Sequence, residues 1–142
     1  MSAYKILLAD EQEIFRQRIR NIIGEIKDTQ ICGEVNNGQE LLELLDKEKP
    51  NLIIMEIDLP ILEGWKVFNE VKKNYPKIKC LILTNHMERD FISSTLYYGV
   101  DGVIFKYEPS TELLRAVNTI RNGGKFFSPL FSAKLDLLRQ KH

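Results

Sequence analysis

Five short apolar runs, each followed by a stretch of helical period, constrain this chain more than any other feature of its sequence. The runs occupy residues 4–9, 30–35, 51–56, 79–84 and 102–105, separated by patterns of roughly 10 to 15 residues. Parallel strands joined by crossover helices read this way, and the helices must then cover both faces of the sheet. The third and fourth runs are apolar nearly throughout, which suits central strands buried on both sides. The fold class is therefore α/β, a doubly wound parallel sheet.

The stretches between the runs carry matching stripes. Phe15, Ile19, Ile22, Ile23 and Ile26 share one face of the first helix, which leaves Arg16, Arg20 and Lys27 on a solvated face. Asn36-Asn37-Gly38 supplies turn and cap chemistry ahead of Leu41, Leu42, Leu44 and Leu45, and Pro50 stops that helix. Gly64 opens a third helix with Val67, Phe68 and Val71 inward, ending before Pro76. Phe91, Ile92, Thr95 and Leu96 stripe a fourth, stopped by Gly99. Ser110 is the expected N-cap of a fifth, with Glu112 in its first turn and Leu113, Leu114, Val117 and Ile120 inward. After Asn122-Gly123-Gly124, Pro129 as a first helical residue and Leu130, Phe131, Leu135, Leu137 and Leu138 point to a short C-terminal helix.

With 142 residues and 44% hydrophobic content, the chain can bury one sizeable core but hardly two. The organisation expected is one domain over residues 1–124 and a helical extension over 125–142, readable as the start of a linker to an output domain. Twenty basic residues balance twenty acidic ones, so no overall electrostatic footprint favours nucleic acid or an anionic membrane. Met1-Ser2-Ala3-Tyr4-Lys5 lacks the apolar stretch and cleavage site of a signal peptide, and no run reaches membrane-spanning length. A cytoplasmic protein is expected. Cys32 and Cys80 lie inside strands without the spacing of a metal site, and read as two buried thiols.

In open parallel sheets, reacting groups gather outside the carboxyl ends of the strands. Asp10 and Glu11 follow the first run. Glu56 ends the third, within Met55-Glu56-Ile57-Asp58-Leu59-Pro60, Thr84 ends the fourth, and Lys106 follows the fifth. Chance readily places one carboxylate at such an end, but seldom two acids, a third carboxylate, a hydroxyl and a lysine together. The five are expected to meet in one acidic hollow.

These residues resemble the receiver domains of two-component response regulators. The resemblance covers roughly residues 4–124, through Ile6-Leu7-Leu8-Ala9-Asp10-Glu11, Asn37-Gly38-Gln39-Glu40, Pro50-Asn51-Leu52-Ile53-Ile54-Met55, Leu59-Pro60, Glu63-Gly64, Leu83-Thr84, Gly99-Val100-Asp101-Gly102 and Lys106. Gly123-Gly124-Lys125-Phe126-Phe127-Ser128-Pro129 is similar to the subfamily usually joined to a helix-turn-helix output domain. The resemblance implies a flavodoxin-like, five-stranded sheet of order 2-1-3-4-5. It also implies a sensor histidine kinase that donates a phosphoryl group to an aspartate at the end of the third strand, with magnesium beside it. There the ion neutralises phosphoryl charge, a lysine pairs with the acyl phosphate and a threonine hydroxyl donates to it. Carried over by position, Asp10, Glu11, residue 56 and the backbone carbonyl of Asp58 would face the metal, Thr84 and Lys106 would line the phosphoryl pocket, and Val103 stands at the switch position.

Three departures from the family pattern change the expectation. Glu56 replaces the acceptor aspartate, and its extra methylene extends the carboxylate by about 1.5 Å. Since in-line transfer loses on the order of a hundredfold in rate for a misplacement near 1 Å, a fixed carboxylate that imitates part of a phosphorylated state is the leading reading. Glu11 stands where a shorter aspartate usually touches magnesium, and two lengthened acids crowd a site that demands near-octahedral geometry, so weakened or absent magnesium binding is expected. Val103 replaces a switch aromatic with a side chain stiff at χ1. Asn85, after Thr84, replaces a small residue and is expected to narrow donor access.

Other candidates weigh less. Asp58 is a rescue acceptor only if its loop turns inward, and a solvent-facing loop residue is the plainer reading. His86 near the pocket mouth reads as solvated at the start of the fourth helix, His142 is terminal, and no Ser-His-Asp set or G-x-G-x-x-G fingerprint occurs. The function expected is a non-enzymatic receiver acting through protein contacts. A conventional magnesium-dependent, phosphorylated receiver using Glu56 or Asp58 is the alternative, and a phosphotransferase or phosphatase is the poorest fit. Expected partners are a sensor histidine kinase or other signalling protein and a second copy in a homodimer, with no direct nucleic-acid binding by this chain alone and no membrane.

Overall fold

The computed structural model describes residues 3–140, so Met1, Ser2 and the terminal His142 lie outside the described residues. Strands and helices alternate from β1 (Tyr4–Ala9), α1 (Glu13–Ile23), β2 (Thr29–Val35), α2 (Gly38–Glu48), β3 (Leu52–Met55) and α3 (Gly64–Asn74) to β4 (Lys79–Thr84) and α4 (Arg89–Tyr98). β5 (Gly102–Phe105), α5 (Ser110–Arg121), β6 (Phe126–Phe127) and α6 (Pro129–Gln140) complete the chain. The sheet order is β2-β1-β3-β4-β5-β6, which contains the expected 2-1-3-4-5 and adds one short strand. β1 pairs in parallel with β2 and β3, and β5 with β4 and β6. Contacts divide the chain into two compact units, residues 1–80 and 81–142, with the boundary inside β4.

In the first unit, Ile6, Leu7 and Leu8 of β1 and Leu52, Ile53 and Ile54 of β3 are at most 1% exposed, the condition for strands covered on both faces. α1 buries Ile19 and Ile23, α2 buries Leu41 and Leu45, and α3 buries Val67, Phe68 and Val71. Each such side chain contributes roughly 1.5–3 kcal/mol by leaving water. Asn37 Oδ1 caps α2 by accepting the Glu40 N–H at 2.9 Å, satisfying a donor the helix cannot. α2 ends with Lys49 in the left-handed region, φ 48°, before Pro50. α3 ends at Asn74, two residues before Pro76. α1 is shorter than its stripe: it stops at Ile23, and Ile26 lies in the following turn, where its N–H bonds the Ile23 carbonyl.

In the second unit, Leu81 and Ile82 of β4 and Val103 of β5 are fully buried. α4 carries Phe91, Ile92 and Thr95 inward, while Leu96, read as part of that stripe, is 48% exposed one position beyond the buried face. Gly99 ends α4 at φ 70°, a conformation glycine adopts without a Cβ clash. Ser110 is the first residue of α5 and not its cap; the extended cap position falls on Pro109, whose ring presets φ at −56°. The sixth strand escaped the sequence pattern because two residues are too few to alternate. Phe126 and Phe127 pair with Gly102 and Val103. A Cβ on Gly102 would lie 2.6 Å from the Phe126 carbonyl, so glycine permits that approach. Of the two thiols, Cys80 is buried and Cys32 is half-buried, because β2 ends the order and has a strand on one side only.

Gly38 abuts the loop after β3, where a Cβ would stand 2.1 Å from the Leu62 carbonyl. Gly38→Ala should therefore lower the unfolding free energy by about 1–3 kcal/mol in urea denaturation. Gly24→Ala should be neutral or stabilising by about 0.4–1 kcal/mol, since Gly24 has φ −58° and its Cβ would meet nothing closer than 3.4 Å.

Candidate functional site

In the first unit, an acidic group is built where β1 and β3 end side by side, Ala9 in register with Met55. The next residue on each strand is a carboxylate held by its own backbone. Asp10 N–H donates to Val35 O at 3.1 Å and Glu56 N–H to Ala9 O at 3.0 Å. Both acids are buried, Asp10 at 4% and Glu56 at 9% exposure. Asp10 Oδ1 accepts the Gln12 N–H at 2.8 Å, and Glu56 Oε2 accepts the N–H of the next residue, Ile57, at 2.9 Å. Glu11 and Asp58 are exposed. The structure thus brings Asp10 and Glu56 to adjacent strand ends and turns Glu11 and Asp58 to solvent.

Sequence reading missed one member of this group. Arg16, assigned to a solvated face, has a side chain only 13% exposed. Its Nη1 donates to the Asp10 carbonyl at 2.5 Å, its Nε to Glu34 Oε1 at 3.3 Å, and its Nη2 to Glu13. Arg20 Nη1 donates to the same Glu34 oxygen at 2.5 Å. A helical period assigns Arg16 to the outer face, but Glu34 of β2 and the Asp10 carbonyl offer acceptors that a helix alone does not. The available signal was Glu13 three residues before an arginine, a spacing that places both on one side of a helix.

The loop after β3 is pinned by its backbone. Leu59 and Gly64 both donate to Ile57 O at 2.9 Å, Leu62 donates to Pro60 O at 2.7 Å, and Gly38 reaches the same oxygen at 3.3 Å. Within it Ile61 adopts φ 70° while 80% exposed, a conformation a β-branched residue holds only when neighbours enforce it.

In the second unit, β4 and β5 carry a polar group of their own at their carboxyl ends. Lys106 N–H donates to Thr84 O at 2.8 Å, which sets the fully buried threonine beside the 5%-exposed lysine. Thr84 Oγ1 accepts the His86 N–H at 3.2 Å. His86 lies in the loop before α4 and not in its first turn, because the helix begins at Arg89. Its Nδ1 stands 3.0 Å from both carboxylate oxygens of Glu88, and that hydrogen bond holds the Glu88 carboxyl below its ordinary value. Val103 is fully buried, whereas Asn85, Tyr97 and Tyr107 are exposed. Among the described residues, no three of His, Cys, Asp and Glu are placed to hold a metal ion, and no helix is long and apolar enough to cross a membrane.

A doubly wound α/β sheet of this order, with polar groups at the carboxyl ends of its strands, defines the flavodoxin-like receiver fold. Residues 6–118 match the response regulator receiver domain, and the chain belongs to that family, the receiver modules of two-component signal transduction. It is 25% identical over 125 residues to the transcriptional regulatory protein DegU of Brevibacillus brevis, covering 88% of this chain and 53% of that one. It is 29% identical over 133 residues to the response regulator protein VraR of Staphylococcus epidermidis, covering 94% and 64%. The chain thus spans a little over half to just under two thirds of these relatives. The isolated receiver domain of RcsB from Salmonella enterica serovar Typhimurium, solved with the phosphomimetic BeF3−, superposes with a TM-score of 0.89 at 21% identity over 94% of this chain and 99% of that one. Receivers as a family interact with histidine kinases, can dimerise and generally bind magnesium at the phosphorylation site; they are signalling proteins and usually not enzymes.

Arg16→Ala strips hydrogen bonds from Glu34 and from the Asp10 carbonyl, and should cost about 1–3 kcal/mol of stability in chemical denaturation. His86→Ala should return the Glu88 carboxyl toward its ordinary 4.5, followed by NMR titration of the side chain. Because the folded value is the lowered one, the His86–Glu88 contact stabilises above the ordinary carboxylate range and is lost as pH falls through the depressed value.

Proposed function

We propose that this receiver signals with Glu56 as a fixed carboxylate at the acceptor position, through protein contacts and without phosphoryl turnover. One observation carries the reading: residue 56 is a buried glutamate whose Oε2 is already engaged by the Ile57 N–H. A carboxylate one methylene longer and oriented by its own backbone is poorly placed for in-line attack, where a shift near 1 Å removes on the order of a hundredfold in rate. It also carries one negative charge where an acyl phosphate carries nearer two, so the imitation is partial. Asp10, Glu56, Thr84 and Lys106 serve in this reading as the family's pocket positions, each at the carboxyl end of its own strand.

Magnesium binding is weak or absent in the same reading. Glu11 is exposed, and Asp10 Oδ1 and Glu56 Oε2 each take a backbone N–H. Such donors do not fit the near-octahedral shell that magnesium demands. Val103 supplies no ring to swing, so any signal leaves the pocket by another route. The module works in the cytoplasm, with a sensor kinase or other signalling protein and a second copy of itself as partners, and any DNA binding rests with an output domain outside these residues. A phosphorylated mode through the exposed Asp58 is the competing reading.

Incubation with acetyl phosphate and magnesium separates the two. Intact mass should show no adduct on the native protein, and an adduct of about 80 Da on Glu56→Asp. Glu56→Gln should abolish partner binding that the native protein shows without a phosphodonor. An adduct on the native chain mapped to Asp58 or Glu56 establishes the conventional mode instead.

A further inference from the structure

We propose that Glu108 is a positioning residue that ties the turn carrying Lys106 to the seat of α6, so that the state of this turn sets how firmly α6 is held. The tie is a matter of geometry; its link to signalling rests on the reading of Lys106 as a phosphoryl-pocket residue. Lys106 and Tyr107 lie in a turn that Glu108 closes twice. The Glu108 N–H donates to Phe105 O at 3.0 Å, and Glu108 Oε2 accepts the Phe105 N–H at 2.9 Å. The other carboxylate oxygen, Oε1, accepts the N–H of Leu130 at 3.3 Å, the second residue of α6. One side chain therefore holds backbone donors from two segments more than twenty positions apart in sequence.

The first turn of a helix has N–H groups without intrahelical partners. In α6, Glu108 takes that of Leu130, the buried Ser128 Oγ takes that of Phe131 at 3.2 Å, and the Ser128 carbonyl takes that of Ser132 at 2.9 Å. A carboxylate is favoured at this end by the helix dipole. Among the residues of α6, Phe131 alone is buried, its ring centroid 5.4 Å from that of Phe127 and 6.1 Å from that of Phe105. Farther along, Leu137 is 58% exposed. The fully buried part of α6 thus lies in its first turn, with Leu135 and Leu138 only half-buried farther along, and an element with so few buried side chains opens at small free-energy cost. Phe105 belongs to both attachments, as a donor to Glu108 and as a ring against Phe131. A shift of the Lys106 turn reaches α6 through these contacts without an aromatic ring at position 103.

Amide hydrogen exchange on the full chain tests the proposal. Glu108→Ala should accelerate exchange of residues 130–140 by roughly tenfold while α5 stays unchanged. Unchanged exchange in α6, with the fold intact, overturns the tie. If the alanine variant does not fold, Glu108→Gln carries the same test, since it keeps one acceptor oxygen: faster exchange in α6 supports the tie and unchanged exchange overturns it. The link to Lys106 is read by a double-mutant cycle, in which Lys106→Met should alter α6 exchange only when Glu108 is present. An equal change in both backgrounds overturns the coupling. The mass measurement on Glu56→Asp is independent of either result, so failure of the tie and failure of the fixed-carboxylate reading are distinguishable.

Discussion

Ladder hydrogen bonds that run one residue beyond the apolar strands hold the polar chemistry of this domain in place. Asp10 bonds to Val35, Glu56 to Ala9 and Lys106 to Thr84, in each case through the backbone N–H of the polar residue. Each charged side chain therefore starts from a backbone position fixed by the same interaction that fixes the sheet. Buried charge is costly unless paired or hydrogen-bonded, and the strand end meets that condition by placing the side chain where turn N–H donors are available, as Gln12 and Ile57 supply them. The apolar register of β1 against β3 thus sets the spacing of the two acids more directly than any contact between their side chains.

In the proposed reading, that constraint is why one methylene matters at residue 56. The backbone at a strand end has no freedom to retreat, so a longer side chain must fold back, and the Glu56 carboxylate does so onto the Ile57 N–H. The loop beyond cannot yield either. Two donors converge on Ile57 O, and a Cβ at Gly64 would stand 2.7 Å from that oxygen and from Ile57 Cα. The strained φ of Ile61 is the local cost of so tight a loop.

The alternation of apolar runs and helical stripes made the central strands and the helices legible, because burial on both faces leaves a continuous signature in β3 and β4. Positions at strand ends were legible for the same reason, since a polar residue closing an apolar run is conspicuous. What escaped depended on contacts between segments. Arg16 looked solvated because a helical wheel does not contain Glu34. Ser110 looked like a cap because Ser is a common one, whereas the preset φ of Pro109 shifted the boundary by a residue. β6 was invisible because its two residues are defined by their neighbours Gly102 and Val103 and not by a pattern of their own.

In the proposed reading, with Val103 at the switch position, a signal has to pass without an aromatic ring there. Val103 is fully buried, paired with Phe127 of β6, and β-branched, so its side chain has neither the space nor the rotamers to swing. The residues beyond it are less confined. Lys106 is held to β4 by the backbone bond to Thr84, and the turn that follows is closed by Glu108. A strand packed on both sides transmits displacement poorly through its middle, since dense packing there admits few alternative arrangements. It transmits better at its end, where one hydrogen-bonding carboxylate stands between two segments and an exchange of partners is enough to release one of them.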